Sequence, residues 1–212
     1  MQNVLLYVGG AALFAAGVAV GTGSQDAKKE QDAKKAATEQ DAAGSMGVAP
    51  VAEHKKLAAD VGVWKAKMWM AGETGLVGPE AATETVRMDL GGLWQVSDFE
   101  CPKAPGMGTS FKGHGVMGYD PSSKRYLGMW FDNWTATPTE ITGVYEKDGK
   151  TFTAEAAVFD TRINDVVKMK QVTKYADANH RTFTIAMTGP DGKEMTVVKI
   201  EYERDVPAGA GK

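Results

Sequence analysis

The chain has 212 residues with 24 Lys and Arg against 27 Asp and Glu, a formal net charge of −3. That length suits one domain with or without a tail, and the near-neutral balance leaves no basic footprint for nucleic acid. A hydrophobic share of 43% excludes a polytopic membrane protein, and Cys101, the only cysteine, excludes an intrachain disulfide and a cysteine zinc cluster.

Residues 1–24 carry no charged side chain, and Val4 to Val20 is a continuous run of apolar, Gly and Tyr residues. The run is long enough for the core of a signal peptide and marginal for a spanning helix of about 20 residues. The small residues from Ala19 to Ser24 offer room for cleavage, and no Cys follows to carry a lipid. Residues 1–24 are therefore expected to be a signal peptide or a membrane anchor, with membrane contact through residues 4–20 if uncleaved. This places the protein in the cell envelope, periplasmic or extracytoplasmic, membrane-anchored or secreted. A charged, low-complexity tether follows over residues 25–51, with Gln25-Asp-Ala-Lys-Lys-Glu partly repeated at Gln31 and Gln40. Met46 is its only large apolar residue before Val48, so no face is available to dock on a core.

A folded domain is expected over residues 52–206. Leu57, Ala58 and Val61 share one helical face in the segment Glu53–Gly62, and Gly62 suits a helix end. From Trp64 the apolar period changes to two: Trp64, Ala66, Met68 and Met70 share a face opposite Lys65 and Lys67. Strands are predicted at 82–90 and 93–101 around Gly91-Gly92, then at 109–119 and 125–133 around Asp120-Pro121-Ser122. Further strands at 139–146 and 151–159 flank Asp148-Gly149, a strong hairpin signal. Segments 163–175, 181–187 and 194–203 complete the set, and residues 207–212 read as a flexible tail. Val167, Met169 and Tyr175 alternate with lysines, as do Phe183, Ile185 and Met187 with Thr182 and Thr184, so one face is buried and one solvated. About ten strands joined by short turns predict an all-β, antiparallel up-and-down barrel with a short N-terminal plug helix, wide enough for a cavity. A β-sandwich is the alternative.

Val61-Gly-Val-Trp64 resembles the G-x-W signature of the calycin, or lipocalin-like, barrels. With Glu84-Thr-Val-Arg87, Gly91-Gly-Leu-Trp94, Phe111-Lys-Gly-His-Gly115, Gly118-Tyr-Asp-Pro121, Tyr126-Leu-Gly-Met-Trp130 and Gly189-Pro-Asp-Gly192, residues 53–204 resemble the bacterial DUF1579 family. The resemblance implies a calycin-type barrel, with a departure in the loop at 71–80, and it implies no reaction or catalytic residue.

Candidate barrel-lining residues are Trp64, Met68, Trp94, His114, Tyr126, Trp130 and Asp132. His114 stands between Gly113 and Gly115, which permit a bulge or a close approach of ligand or backbone. It is a candidate ligand contact and, by analogy with haem-binding calycin barrels, a candidate axial haem ligand. The aromatic set suggests an apolar pocket with polar tips. Asp132 shares parity with Trp130, and an inward carboxylate needs a partner or water. On strand 125–134, Leu127, Met129 and Phe131 occupy the second face and need a cover, from the amphipathic helix or from a second copy in a homodimer. G-x-S-x-G, H-E-x-x-H, P-loop and C-x-x-C motifs are absent. The reading is a barrel that binds a small apolar or amphipathic molecule. The alternatives are an enzyme acting on such a molecule with His114 as base, and a packed structural or protein-interaction domain.

Overall fold

The computed structural model describes residues 48–160, 164–189 and 192–206. Residues 1–24, expected to be a signal peptide or membrane anchor, all but the last residues of the expected tether, and residues 207–212 lie outside these residues. Among the described residues no helix is long and apolar enough to cross a membrane.

The domain opens with one short helix, α1 (Ala52–Ala58), and ten strands follow: β1 (Gly62–Ala71), β2 (Leu76–Asp89), β3 (Trp94–Cys101), β4 (Phe111–Asp120), β5 (Arg125–Asp132), β6 (Thr139–Tyr145), β7 (Thr151–Asp160), β8 (Asp165–Tyr175), β9 (His180–Thr188) and β10 (Glu194–Arg204). Each strand pairs antiparallel with its sequence neighbours, and β10 closes on β1 from Trp64↔Arg204 to Met70↔Val198. The ring is complete, so the sandwich alternative falls and no sheet edge is left to template aggregation.

Strand β2 begins at Leu76, inside the segment expected to be a loop at 71–80. Gly75 closes the turn before β2, its carbonyl accepting the Gly72 N–H at 2.6 Å, whereas Gly78 and Pro79 also carry turn signals yet lie within the strand. The register shifts between Met68 and Met70, where Gly78 and Pro79 face the single residue Trp69. This is a bulge, the place in a sheet where a residue without an N–H is tolerated. Gly78 has φ 126°, and a Cβ there would lie 2.6 Å from the Met68 carbonyl. The two-residue turn at Gly91-Gly92 is a short 3-10 turn, Leu90–Gly92, with both glycines at positive φ.

Helix α1 closes one end of the barrel. His54 accepts the Val51 N–H on Nδ1 at 3.0 Å, capping the helix start, and its ring meets Tyr119 edge-on. Leu57 packs inward with Tyr126, Ile141 and Phe152. Gln95 donates to the Leu57 carbonyl and Tyr126 to the Glu53 carbonyl, so strands β3 and β5 both hold the plug. Because α1 sits on the open end rather than on the outer wall, it does not cover Leu127 and Phe131, which remain 39% and 45% exposed.

Inside, bulk on one strand is matched by its absence on the next. The indole of Trp130 lies across Gly113 and Gly115 of the neighbouring strand, where a Cβ at Gly113 would overlap the ring. Gly113→Ala is therefore expected to destabilise the fold by about 1–3 kcal/mol through overpacking, read by urea unfolding. An unchanged midpoint would show that Trp130 moves aside freely.

Candidate functional site

The barrel encloses a cavity of about 300 Å³. Its position follows from parity: inward residues of β1 (Met68, Met70), β9 (Phe183, Ile185, Met187) and β10 (Val198, Ile200) form an apolar wall. Beside β9, β8 contributes Met169, Gln171 and Thr173. The end away from α1 is the mouth, where Phe111 meets Trp134 at 4.8 Å between ring centroids and stacks on Trp130 at 6.3 Å. Asp132 shapes this rim. One carboxylate oxygen accepts the N–H groups of Trp134 and Thr135, each at 2.8 Å, and the Thr135 hydroxyl at 3.2 Å. The inward carboxylate thus has the partners that its burial requires.

The other end, the floor, is polar. Arg181 on β9 donates from Nη1 to Asp60 Oδ2 at 2.9 Å and from Nη2 to Glu84 Oε2. Tyr175 donates to the same Asp60 oxygen at 2.9 Å, and the Tyr145 and Tyr175 hydroxyls are 3.4 Å apart. The Arg181 guanidinium packs against two mutually perpendicular rings, 4.5 Å from the Trp64 centroid and 4.4 Å from Tyr202. Its Nε is buried without a hydrogen-bond partner. Asp60, Glu84 and Arg181 are all buried. Burial pushes the Glu84 carboxyl above its usual range, and Asp60 adds to this, against the pull of Arg181. For Arg181, burial disfavours the charge, but Glu84 and Asp60 outweigh it and hold the guanidinium protonated. Burial, then Asp60, raises the Tyr175 hydroxyl.

Of the residues expected to line the barrel, Met68, Trp130 and Asp132 border this cavity. Trp64 and Tyr126 point inward but lie outside its lining, packed into the closed end; Trp64 is only 1% exposed. Trp94 and His114 face the outside. Trp94 lies flat over Gly118 of β4, and His114 is paired with Asp98, Nδ1 to Oδ1, at 2.7 Å. Arg87 donates to the other Asp98 oxygen at 2.7 Å. The His114 hydrogen bond, with that of Arg87, holds the Asp98 carboxyl below its usual range. Arg87, Trp94 and His114, together with Asp89, Leu90, Val96 and Val116, form a shallow outer hollow, whose lining contains no Ser, Thr, Cys or Lys. The reason is parity: the glycines flanking His114 are the inward residues, and they make room for Trp130.

Two expectations are corrected by this placement. A base at His114 cannot act on a molecule inside the barrel, and an axial haem ligand at His114 does not fit. No histidine lines the cavity: His54 caps α1 and His180 bonds Asp177 in an exposed turn. Among the described residues no group of His, Cys, Asp and Glu is arranged to hold a metal ion. Of the floor residues, Tyr145 belongs to the aromatic set, whereas Asp60, Glu84, Tyr175, Arg181 and Tyr202 are not among the candidate lining residues. Their signal was present as charge on an apolar face, since Arg181 shares parity with Phe183 and Ile185, and Glu84 with Ala82 and Val86.

Arg181→Met is expected to cost about 3–5 kcal/mol in unfolding free energy, because it leaves two buried carboxylates without a counter-charge. His114→Ala, which breaks an exposed pair, is expected to stay within about 1 kcal/mol. Equal effects of the two in chemical denaturation would contradict this division between floor and outer wall.

Comparison with known proteins agrees with the architecture. The structure of Rv2717c from M. tuberculosis superposes with a TM-score of 0.53 at 10% identity, over 74% of this chain and 99% of that one. The S-type phycobiliprotein lyase CPES from Guillardia theta gives a TM-score of 0.48 at 12% identity, over 74% and 94%. Among curated proteins none matches the chain. At these identities the likeness concerns the fold alone. The family model for DUF1579, described as a protein of unknown function, matches residues 49–204, the plug helix and all ten strands, and the chain belongs to that family.

Proposed function

We propose that this barrel binds a small amphipathic molecule in its interior. The observation that carries the reading is the cavity itself: about 300 Å³, walled by Met, Ile, Val and Phe side chains, with an aromatic mouth and a polar floor. That volume stands at the lower end of the range for small-molecule sites, and few convergent polar groups among apolar walls is their usual composition. Methionines such as Met68, Met70, Met169 and Met187 suit a wall that adapts to chain-like guests. Each methylene buried there contributes about 0.8 kcal/mol, so a chain of ten offers roughly 8 kcal/mol before the cost of association. A fully packed structural barrel would leave no such volume.

A neutral fluorescent probe, N-phenyl-1-naphthylamine, tests this reading. Saturable enhancement at one site per chain is expected, with loss in Ile185→Trp, which fills the cavity from β9. Enhancement that survives the filled variant, or none in the parent protein, would sink interior binding.

We further propose that the barrel works in the cell envelope, either released or held at the membrane by residues 4–20. Support comes from the uncharged run at 4–20 and the charged repeat after it. Expression in a Gram-negative host should yield the protein in the periplasmic or membrane fraction, and mass spectrometry of the chain reports whether the segment is removed. Recovery of an intact chain from the cytosol alone would overturn the placement.

A further inference from the structure

Resting on the reading of the cavity as a ligand site, we propose that it selects amphiphiles by head group, taking cationic ones and turning away carboxylates. The floor presents two carboxylates, Asp60 and Glu84, to one guanidinium, and both terminal nitrogens of Arg181 are already engaged with them. A buried arginine in an apolar barrel would ordinarily be the receptor for an anionic head. Here that role is filled from within the protein, and the one nitrogen without a partner, Nε, is buried, on a guanidinium packed against the Trp64 and Tyr202 rings.

The remaining charges give the same sign. Among the described residues, the cavity lining contains three carboxylates, Asp60, Glu84 and Asp132, against the single cation Arg181. An incoming carboxylate would add like charge to a desolvated, already acidic floor, where Coulomb interactions are much less screened than in water. An ammonium head instead supplies the missing positive charge. The aromatic mouth does not oppose it, since the faces of Trp130 and Trp134 attract cations as well.

Glu84 is the group through which pH enters. It faces Arg181 from β9, Asp60 from the segment after α1, and the Tyr202 ring of β10, while Tyr175 of β8 bonds Asp60. Burial raises its carboxyl, so the empty floor sheds charge by protonation as pH falls. A bound cation favours the ionised form. The preference for a permanent cation over a carboxylate therefore widens as pH rises through the Glu84 titration.

The test is displacement of N-phenyl-1-naphthylamine from the full chain by three twelve-carbon amphiphiles, each below its micelle concentration: the trimethylammonium, the alcohol and the carboxylate. At about pH 8 the ammonium is expected to displace the probe at a concentration at least about tenfold lower than the carboxylate, with the alcohol between them. The gap should narrow towards about pH 6 and largely close in Glu84→Gln. A carboxylate that competes as well as the ammonium, or an undiminished gap in a folded Glu84→Gln, overturns the head-group inference while leaving interior binding intact. If that variant does not fold, the pH series of the parent protein decides, and a gap that stays constant overturns it. No binding of the probe itself overturns the parent reading instead.

Discussion

The closed end of the barrel is organised around the indole of Trp64, against which two guanidinium groups pack. Arg204 lies 4.1 Å from the ring centroid and Arg181 4.5 Å. The indole N–H donates to the Asp60 carbonyl at 2.8 Å, tying β1 to the end of the plug. Arg204 also bonds the carbonyls of Ala59 and Val61 at 2.8 and 2.5 Å, and that of Ala178 at 3.1 Å. Carbonyls at a helix end lack intrahelical partners, and here one side chain from the last strand satisfies them. Helix, first strand and last strand are thereby joined at the point where the barrel closes.

That arrangement determines what the cavity can be. Two cations stacked on one indole in a dry interior demand counter-charge, which Asp60 and Glu84 provide for Arg181. Arg204 instead finds carbonyl dipoles and a wetter setting. Glu84 stands opposite Trp64 in the β1–β2 register, and Arg181 stands opposite Tyr202 in the β9–β10 register. The same pairing that closes the sheet therefore sets the acids and the guanidinium beneath the cavity. The floor is at once a structural clamp and the polar surface of the cavity.

Much of this was legible in the sequence, and the failures have a common cause. The ten strands followed from period-two alternation and from turn residues such as Asp148-Gly149, because local chemistry dictates both. Leu76–Glu80 reads as loop in the sequence because Gly78-Pro79 is a turn signal, whereas a bulge opposite Trp69 accommodates it within the strand. His114 draws attention through its flanking glycines, yet strict alternation from Phe111 and Met117 sends it outward. Its glycines answer a long-range demand, the seat of Trp130 on the next strand, which composition cannot show. Glu84 is an acid within a strand that has no local partner, since Arg87 three residues on faces the other side, and Arg181 belongs to no motif, although parity sets both among apolar neighbours. Neither lies near the other in sequence, so only the closed sheet brings them together.

The size of the cavity is itself a consequence of packing across β4 and β5. Ten strands enclose more width than side chains of average size can fill, and much of the excess here is occupied by Trp130. Its ring bridges the two clusters of buried side chains, one around Trp64 and one around Tyr126. It can lie there because Gly113 and Gly115 bring no side chain inward, with the Ser97 hydroxyl close behind Gly115. Gly143 makes the same concession to Phe152 and Ala154 nearer the plug. The volume left over is thus bounded by rings seated on glycines rather than by the strand count alone. Phe111 stacks on Trp130 from the mouth side, so the ring whose position sets the size of the cavity is itself held by a second ring at the rim.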